Sequence, residues 1–174
     1  MCGIYGVTAN NESMIKSMIN LCSHRGPDGQ KIISNEFITF GHNLLSITSN
    51  PSEGVQPFYS EITSNMLTYN GEIFNYEELK KKFSDQFTPK SSCDTELLFW
   101  LLNNFSYEEV ITNLIDSMHA FAFFNNQKKE LVLSRDHVGI KPLYFSMGNS
   151  GLIFCSEIKG LIDFVYNSKK INQQ

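Results

Sequence analysis

Met1-Cys2-Gly3-Ile4-Tyr5-Gly6-Val7 opens the chain with a cysteine and a short apolar run between glycines. The β-branched and aromatic residues of this run predict a strand over residues 2–7. If Met1 is removed, Cys2 carries both a thiol nucleophile and a free α-amine, whose ordinary pKa of ~7.7 to 8.0 suits it to act as a base. A lone cysteine here would instead be a small buried residue, since free cysteine is among the most buried residue types.

Composition restricts the class of protein. The 174 residues, 41% hydrophobic and 18% charged, are enough for one well-buried core and too few for two, so we expect one domain. The net charge is -4 and the longest basic run, Lys80-Lys81-Lys82, is typical of a solvated helix face, which argues against nucleic acid as a partner. Apolar runs are short and no signal pattern opens the chain, so we expect a cytoplasmic protein that does not enter a membrane.

The cysteines and histidines give no sign of a metal site. The four cysteines have no C-x-x-C spacing and the four histidines are scattered, so the sequence predicts neither zinc binding nor a disulfide framework. In a cytoplasmic protein the thiols are expected to stay reduced.

Hydrophobic periodicity outward from the first strand predicts alternating helices and strands. A helix capped by Asn10 or Asn11 is expected over residues 14–22, followed by a loop over 23–29. The strand expected over 66–69 runs into Asn70-Gly71, a dipeptide that by itself predicts a turn. Further strands are expected at residues 31–34 and 37–44, and helices begin near residues 75, 94 and 106.

The last third of the chain is predicted to consist mainly of strands. Short strands are predicted over residues 118–124, 130–134, 143–147 and 152–155. Because short polar connections force antiparallel pairing, we expect these strands to form a meander rather than a parallel sheet. A helix over 156–164 closes a domain predicted to span residues 1–166, and residues 167–174 look like the start of a linker.

A series of motifs, in order along nearly the whole chain, resembles the class II glutamine amidotransferase domain of asparagine synthetases. These motifs are Met1-Cys2-Gly3-Ile4, His24-Arg25-Gly26-Pro27-Asp28, Gln56-Pro57, Tyr69-Asn70-Gly71-Glu72-Ile73-Phe74-Asn75, Asp94-Thr95-Glu96, Arg135-Asp136-His137-Val138-Gly139-Ile140-Lys141-Pro142-Leu143-Tyr144 and Ser156-Glu157-Ile158-Lys159. The resemblance implies an α+β, four-layer αββα N-terminal nucleophile fold, in which two mostly antiparallel sheets lie between helices. It also implies that L-glutamine is the substrate.

The resemblance assigns the catalytic roles to three residues. Cys2 would attack the glutamine side-chain amide to form a thioester, with its own amine carrying the proton. Asn70 and Gly71 would form the oxyanion hole, where donors meet the charge that develops during the reaction. The competing interpretation of Asn70 is the turn alone.

Substrate contacts implied by the resemblance fall on two further groups of residues. Glu72 and Asp94 would hold the α-ammonium of glutamine, although Asp94 also stands where a helix N-cap is wanted. The stretch Leu44, Leu45, Ser46, Ile47 and Thr48 would lie along the α-carboxylate. The family places an arginine where this chain has Leu44, so we expect weakened glutamine binding unless Arg25, a lysine or backbone amides compensate.

The other charged motif residues are expected to be structural. We interpret Arg135 and Asp136 as an ion pair or a loop brace near the site, and His24 and Arg25 in the same way.

Relatives of this kind follow the domain with a synthetase domain that uses ATP and magnesium, so we expect no cofactor in the domain itself. The ammonia acceptor would be aspartate, or a sugar acid as in surface-polysaccharide enzymes. The alternative is a catalytically idle domain that acts as a structural or regulatory partner of an ammonia-using synthetase. Assembly into a homodimer is a further hypothesis.

Overall fold

The computed structural model describes residues 1–46, 54–148, 151–162 and 164. Ile47 and Thr48, both predicted to bind substrate, lie outside the described residues. The predicted linker over residues 167–174 and the domain boundary at residue 166 lie outside them as well.

Strands and helices follow the periodic pattern of the sequence closely. The strands are β1 (Gly3–Val7), β2 (Gly29–Ser34), β3 (Thr39–Leu44), β4 (Phe58–Tyr59), β5 (Met66–Ile73), β6 (Ser117–Asn125), β7 (Glu130–Arg135), β8 (Tyr144–Gly148) and β9 (Gly151–Cys155). The helices are α1 (Glu12–Leu21), α2 (Tyr76–Lys82), α3 (Asp94–Asn104), α4 (Tyr107–Glu109) and α5 (Lys159–Ile162). A single 3-10 turn covers Ser23–Arg25, and a single π-helical turn covers Val110–Leu114.

The strands form two antiparallel sheets. One has the order β2-β3-β1-β9-β8, so the strand predicted at the start of the chain lies at its centre. The other has the order β4-β5-β6-β7. The expected cap of the first helix is confirmed at Asn11, whose side chain accepts a hydrogen bond from the Met14 N–H at 3.1 Å.

Three apolar clusters hold the layers together. Helix α1 packs its buried face, which includes Ile15, on the outer side of the first sheet. Helices α2 and α3 cover the outer side of the second sheet. Between the sheets lies a third cluster, which includes Phe40 and Phe154 in an edge-to-face contact. The layer order is helix, sheet, sheet, helix, as expected.

Two predictions from local pattern are wrong. Asn70-Gly71 is not a turn, because β5 continues through it and pairs with β6 over eight residues, from Met66 to Ile73. The last four strands are not one meander: β6 pairs with β7 and β8 with β9, but the two hairpins belong to different sheets. The chain crosses between the sheets in residues 136–143.

Candidate active site

A cavity of about 290 Å³ lies where β1, β3 and β5 approach the start of α3. Eight of the ten residues predicted for the site line it, and the other two are Ile47 and Thr48, outside the described residues. The eight are Cys2, Leu44, Leu45, Ser46, Asn70, Gly71, Glu72 and Asp94.

Cys2 places its thiol against the backbone that follows β3. The Leu45 N–H donates to Cys2 Sγ at 3.4 Å, and the thiol lies 3.6 Å from the Leu45 carbonyl oxygen. Burial raises the pKa of the Cys2 thiol, against the opposing effects of the Leu45 N–H and nearby cations. A thiol held un-ionised at neutral pH needs a base to become a nucleophile.

The pKa of the N-terminal amine is shifted as well. Burial lowers the pKa of the N-terminal amine, here carried by Met1, and the charges of Arg25 and Lys141 lower it further. A lower pKa leaves more of the amine in the neutral, proton-accepting form at neutral pH.

Arg25 fixes the backbone of Cys2 from behind the cavity. Its side chain is 9% exposed, and its Nε and Nη2 donate to the Cys2 carbonyl oxygen at 3.3 and 3.0 Å. Glu157 lies 3.6 Å from the Arg25 guanidinium and 2.7 Å from His24 Nε2. The interpretation of His24 and Arg25 as structural residues agrees with these contacts.

Asn70 presents a donor with no partner. It is 3% exposed, and its side-chain Nδ2 is buried without a hydrogen bond to any described residue. Such an orphan is uncommon, because an unpaired buried donor costs about 1–3 kcal/mol. Gly71 follows, and a Cβ there would collide with the Met118 carbonyl oxygen and the Tyr69 ring. The position therefore needs glycine.

The two sheets are tied together beside Asn70. His42 of β3 is fully buried, and its Nε2 has no hydrogen-bond partner among the described residues. Burial lowers the pKa of His42 to about 3, against the effect of the Tyr69 backbone, so the ring is neutral at physiological pH. Thr68 Oγ1 donates to the Gly41 carbonyl oxygen at 3.4 Å. This bond helps to set the position of β5 relative to the sheet that carries Cys2.

Asp94 turns its carboxylate toward β5 rather than capping its own helix. Its Oδ2 accepts from the Ile73 N–H at 3.0 Å and from the Tyr69 hydroxyl at 3.3 Å, while Cys93 occupies the N-cap position. The hypothesis of an N-cap role is thus wrong. Burial raises the pKa of Asp94, against the effect of those two donors. Glu72 is exposed and lines the same cavity.

Leu44 ends β3 with a buried side chain that packs against Gly29. The His24–Asp28 motif holds the stretch in place: the Asp28 N–H donates to the Leu44 carbonyl oxygen at 3.0 Å, and Asp28 Oδ2 accepts from the Ser46 N–H at 2.8 Å. Gly26 lies directly on the backbone of β3, where a Cβ would collide with Asn43 and Leu44.

Asp136 braces the crossing between the sheets, as expected. Its carboxylate accepts from the N–H groups of His119, Ile140 and Lys141 at 3.2, 2.8 and 3.0 Å. Although burial raises the pKa of Asp136, these three donors together lower it. The alternative hypothesis of an ion pair with Arg135 is not seen among the described residues.

Several further residues that line the cavity were not predicted for the site, among them Lys141, Gln56 and Cys93. Lys141 lies within a motif that we interpreted as structural. Gln56 accepts from the Tyr69 N–H at 2.6 Å and donates to Thr95 Oγ1 at 3.3 Å. Cys93 immediately precedes Asp94, and that adjacency was the one available signal.

The described residues contain no cluster of three or more metal-ligating side chains. Among the described helices, none has the length and apolar character needed to cross a membrane.

Comparison with known proteins identifies the architecture around this cavity. The family described as glutamine amidotransferase domain matches residues 1–174. The chain belongs to this family. Among curated proteins, this amidotransferase domain is 32% identical to the putative asparagine synthetase [glutamine-hydrolyzing] 2 of Methanocaldococcus jannaschii over 194 residues, covering 99% of this chain and 37% of the relative.

Two bacterial relatives show the same proportions. Identity is 36% with asparagine synthetase [glutamine-hydrolyzing] 1 of Bacillus subtilis, over 93% of this chain and 27% of the relative. It is 30% with asparagine synthetase B of Escherichia coli, over 93% of this chain and 30% of the relative. The amidotransferase domain thus spans between about a quarter and two fifths of the length of these relatives.

A solved structure confirms the predicted fold class. Glutamine phosphoribosylpyrophosphate amidotransferase from B. subtilis, complexed with ADP and GMP, superposes with a TM-score of 0.76 at 21% identity, over 92% of this chain and 43% of that chain. At this identity the likeness establishes the fold. The N-terminal nucleophile architecture expected from the sequence is therefore correct.

Proposed function

We propose that this amidotransferase domain hydrolyses L-glutamine to glutamate and ammonia, with Cys2 as the nucleophile. The observation that carries the proposal is the pairing of Cys2 with an unpartnered donor on Asn70 in one cavity. A thiol supplies the attacking atom, and a preorganised donor supplies stabilisation where an oxyanion forms.

The reaction divides into two steps. Cys2 Sγ attacks the amide carbon, its proton passes to the α-amine, and the tetrahedral oxyanion is met by the Asn70 amide and the Gly71 N–H. The amine then gives the proton to the departing nitrogen and the C–N bond breaks. Ammonia departs, and the acyl group remains on Cys2 as a thioester. Water attacks the thioester and passes a proton to the α-amine, the C–S bond breaks, and the amine returns the proton to the departing thiolate, so that glutamate and the free thiol are formed.

Substrate recognition follows from the charges in the cavity. Asp94 and Glu72 are carboxylates that suit the α-ammonium of glutamine through charge-assisted hydrogen bonds. Leu44, Leu45, Ser46, Ile47 and Thr48 would lie along the rest of the amino-acid head.

The ammonia would pass to a synthetase domain or subunit. The relatives that share this domain are named as glutamine-hydrolysing asparagine synthetases and are much longer than this chain. We place ATP and magnesium in that partner, and none in the amidotransferase domain. Aspartate is the acceptor we favour, with a sugar acid as the alternative.

One observation favours a second candidate function. Leu44 is buried at the cavity wall where the family places an arginine, so the site lacks the expected guanidinium for the substrate carboxylate. An idle domain that only supports an ammonia-using synthetase would explain that substitution.

Glutamine turnover separates the two candidates. Protein whose first residue is verified as Cys2 is incubated with glutamine, and glutamate and ammonia are measured. Hydroxylamine is added in parallel to trap the thioester as the γ-hydroxamate. Hydrolysis that disappears in Cys2→Ala supports the proposal. Absence of both products from the folded protein establishes the idle domain.

A further inference from the structure

Lys141 lies in the cavity but has no part in the chemistry described so far. Lys141 is 8% exposed. It ends a loop whose Asp136 carboxylate accepts hydrogen bonds from three backbone N–H groups, one of which is that of Lys141. Its position is therefore fixed by the braced crossing between the sheets, and a long cationic side chain is directed into the site rather than into solvent.

The described side chains that line the cavity include more carboxylates than cations. Among the described residues that line the cavity, it is the one cationic side chain, and residues 47–53 carry no lysine or arginine in sequence. Arg25 approaches Cys2 from outside the cavity and is engaged with its carbonyl oxygen. The remaining titratable side chains lining the site are Cys2, Tyr69, Glu72, Tyr76, Cys93 and Asp94.

Lys141 lies at the nucleophile end of the site. Its Nζ is 3.7 Å from the Sδ of Met1, the one hydrogen bond of this ammonium in the described part of the chain. Removal of Met1 takes that partner away and leaves the ammonium, without another hydrogen bond to the described residues, in the cavity that Cys2 lines. Glu72 and Asp94 are the two carboxylates that line the same cavity.

We propose that Lys141 is a positioning cation for the reaction centre, which keeps the α-amine of processed Cys2 neutral and favours ionisation of its thiol. The inference rests on the proposed function, because it deepens the role of Cys2. A positive neighbour disfavours a second positive charge and favours a negative one. Both effects prepare Cys2 for attack, and neither requires Lys141 to touch the substrate.

Electrostatics at the start of the chain supports this assignment. Burial lowers the pKa of the Met1 amine and Cys2 raises it, while the charges of Arg25 and, to a smaller extent, Lys141 lower it. The same two cations oppose the burial that raises the pKa of the Cys2 thiol.

The test compares Lys141→Met, Lys141→Arg and, as a control, Lys16→Met at an exposed position of α1. Removing the cation raises the pKa of the amine, so the acidic limb of the kcat/KM profile for glutamine is expected to move to higher pH in Lys141→Met. Lys141→Arg restores the wild-type profile because it restores the charge. Lys16→Met leaves it in place.

A second measurement does not depend on glutamine turnover. Iodoacetamide alkylation of Cys2 is followed against pH by mass spectrometry of the N-terminal peptide. The rate at neutral pH is expected to fall about 3- to 10-fold in Lys141→Met, because the pKa of the thiol rises. A shifted alkylation profile in a protein without glutaminase activity would support the role of Lys141 and contradict the proposed function. Coincident profiles in folded, active Lys141→Met would overturn the role of Lys141 alone.

Discussion

Arg25 donates two hydrogen bonds to the carbonyl oxygen of Cys2, from Nε at 3.3 Å and from Nη2 at 3.0 Å. Glu157, 3.6 Å from the guanidinium, balances its charge. The proposed nucleophile thus has a fixed backbone, which terminal residues ordinarily lack.

Removing this anchor should weaken the fold as well as the site. Arg25→Met loses charge-assisted hydrogen bonds and leaves a part-buried carbonyl unpaired, so the free energy of unfolding is expected to fall by about 2–3 kcal/mol in urea titrations. Lys159→Met removes another cation near Glu157, but an exposed one, and should cost less than about 1 kcal/mol. Equal effects of the two substitutions would show that the Cys2 carbonyl does not depend on Arg25.

Asn70→Ala should separate stability from turnover. The Nδ2 group has no partner to lose, so unfolding measurements should show little destabilisation. The oxyanion forms only along the reaction path, so kcat should fall about 100- to 1000-fold while KM changes little. Asn104→Ala, at an exposed position, is the control and keeps the parental kcat. An unchanged kcat in Asn70→Ala would remove this amide from the oxyanion hole.

Asp94 should make glutamine affinity depend on pH. Because burial raises its pKa, protonation and loss of the ammonium contact begin at a higher pH than for an exposed aspartate. Asp94→Asn should weaken binding about 10-fold or more at neutral pH, with a smaller change in kcat, and should flatten the acidic fall in affinity. Calorimetry from pH 4 to 8 measures both effects, with exposed Asp85→Asn as control.

Asp94→Asn also makes a prediction about stability. A carboxyl whose pKa is raised by folding destabilises the folded state as the pH rises through the window between its unfolded and folded pKa values. The variant should therefore gain stability relative to the wild type as the pH increases from about 4. A gain at low pH instead would contradict the sign of the shift.

Leu44→Arg should restore affinity for the substrate carboxylate. A charge-assisted bond is worth about 1.5 to 3 kcal/mol, so glutamine is expected to bind about 10-fold more tightly or better to a Cys2→Ala background. The ligand 4-aminobutanamide, which is glutamine without its carboxylate, should gain little. Equal gains for both ligands, or tight glutamine binding before the substitution, would show that another group already holds the carboxylate.

Processing of Met1 should switch the site on. Chains that retain Met1 carry the amine one residue away from the thiol, and the Met1 side chain itself lines the cavity. Glutaminase activity should therefore be found only in fractions that mass spectrometry shows to begin at Cys2. Full activity in chains that keep Met1 would eliminate the α-amine of Cys2 as the base.

Local sequence pattern predicted most elements because their signals are short-range. The first strand, the cap at Asn11 and the apolar face of α1 depend on neighbouring residues alone. Asn70-Gly71 was misinterpreted because its strand conformation depends on β6, which lies about 50 residues further along the chain. The strand Phe58–Tyr59 was missed since two residues carry no periodicity.

The candidate site was predictable in its membership more than in its contacts. Eight residues named from the family resemblance share one cavity, but their chemical roles stay predictions. Lys141 could not be placed from sequence, because its position depends on a loop whose Asp136 carboxylate also bonds the His119 N–H of another strand. The donor to the Asp94 carboxylate was likewise not predictable, since Ile73 lies 21 residues away from it.

Because β5 pairs with β6, successive residues of β5 alternate between the two faces of the sheet. Leu67 and Tyr69 face the helices, whereas Met66 belongs to the cluster between the sheets, so alternate residues of this strand have opposite surroundings. Inserting or deleting one residue within Met66–Ile73 would exchange Asn70 with an apolar neighbour and turn the amide away from Cys2. Length changes in this strand are therefore far more damaging than most substitutions, while the exposed bend at Glu61–Thr63 has room for them.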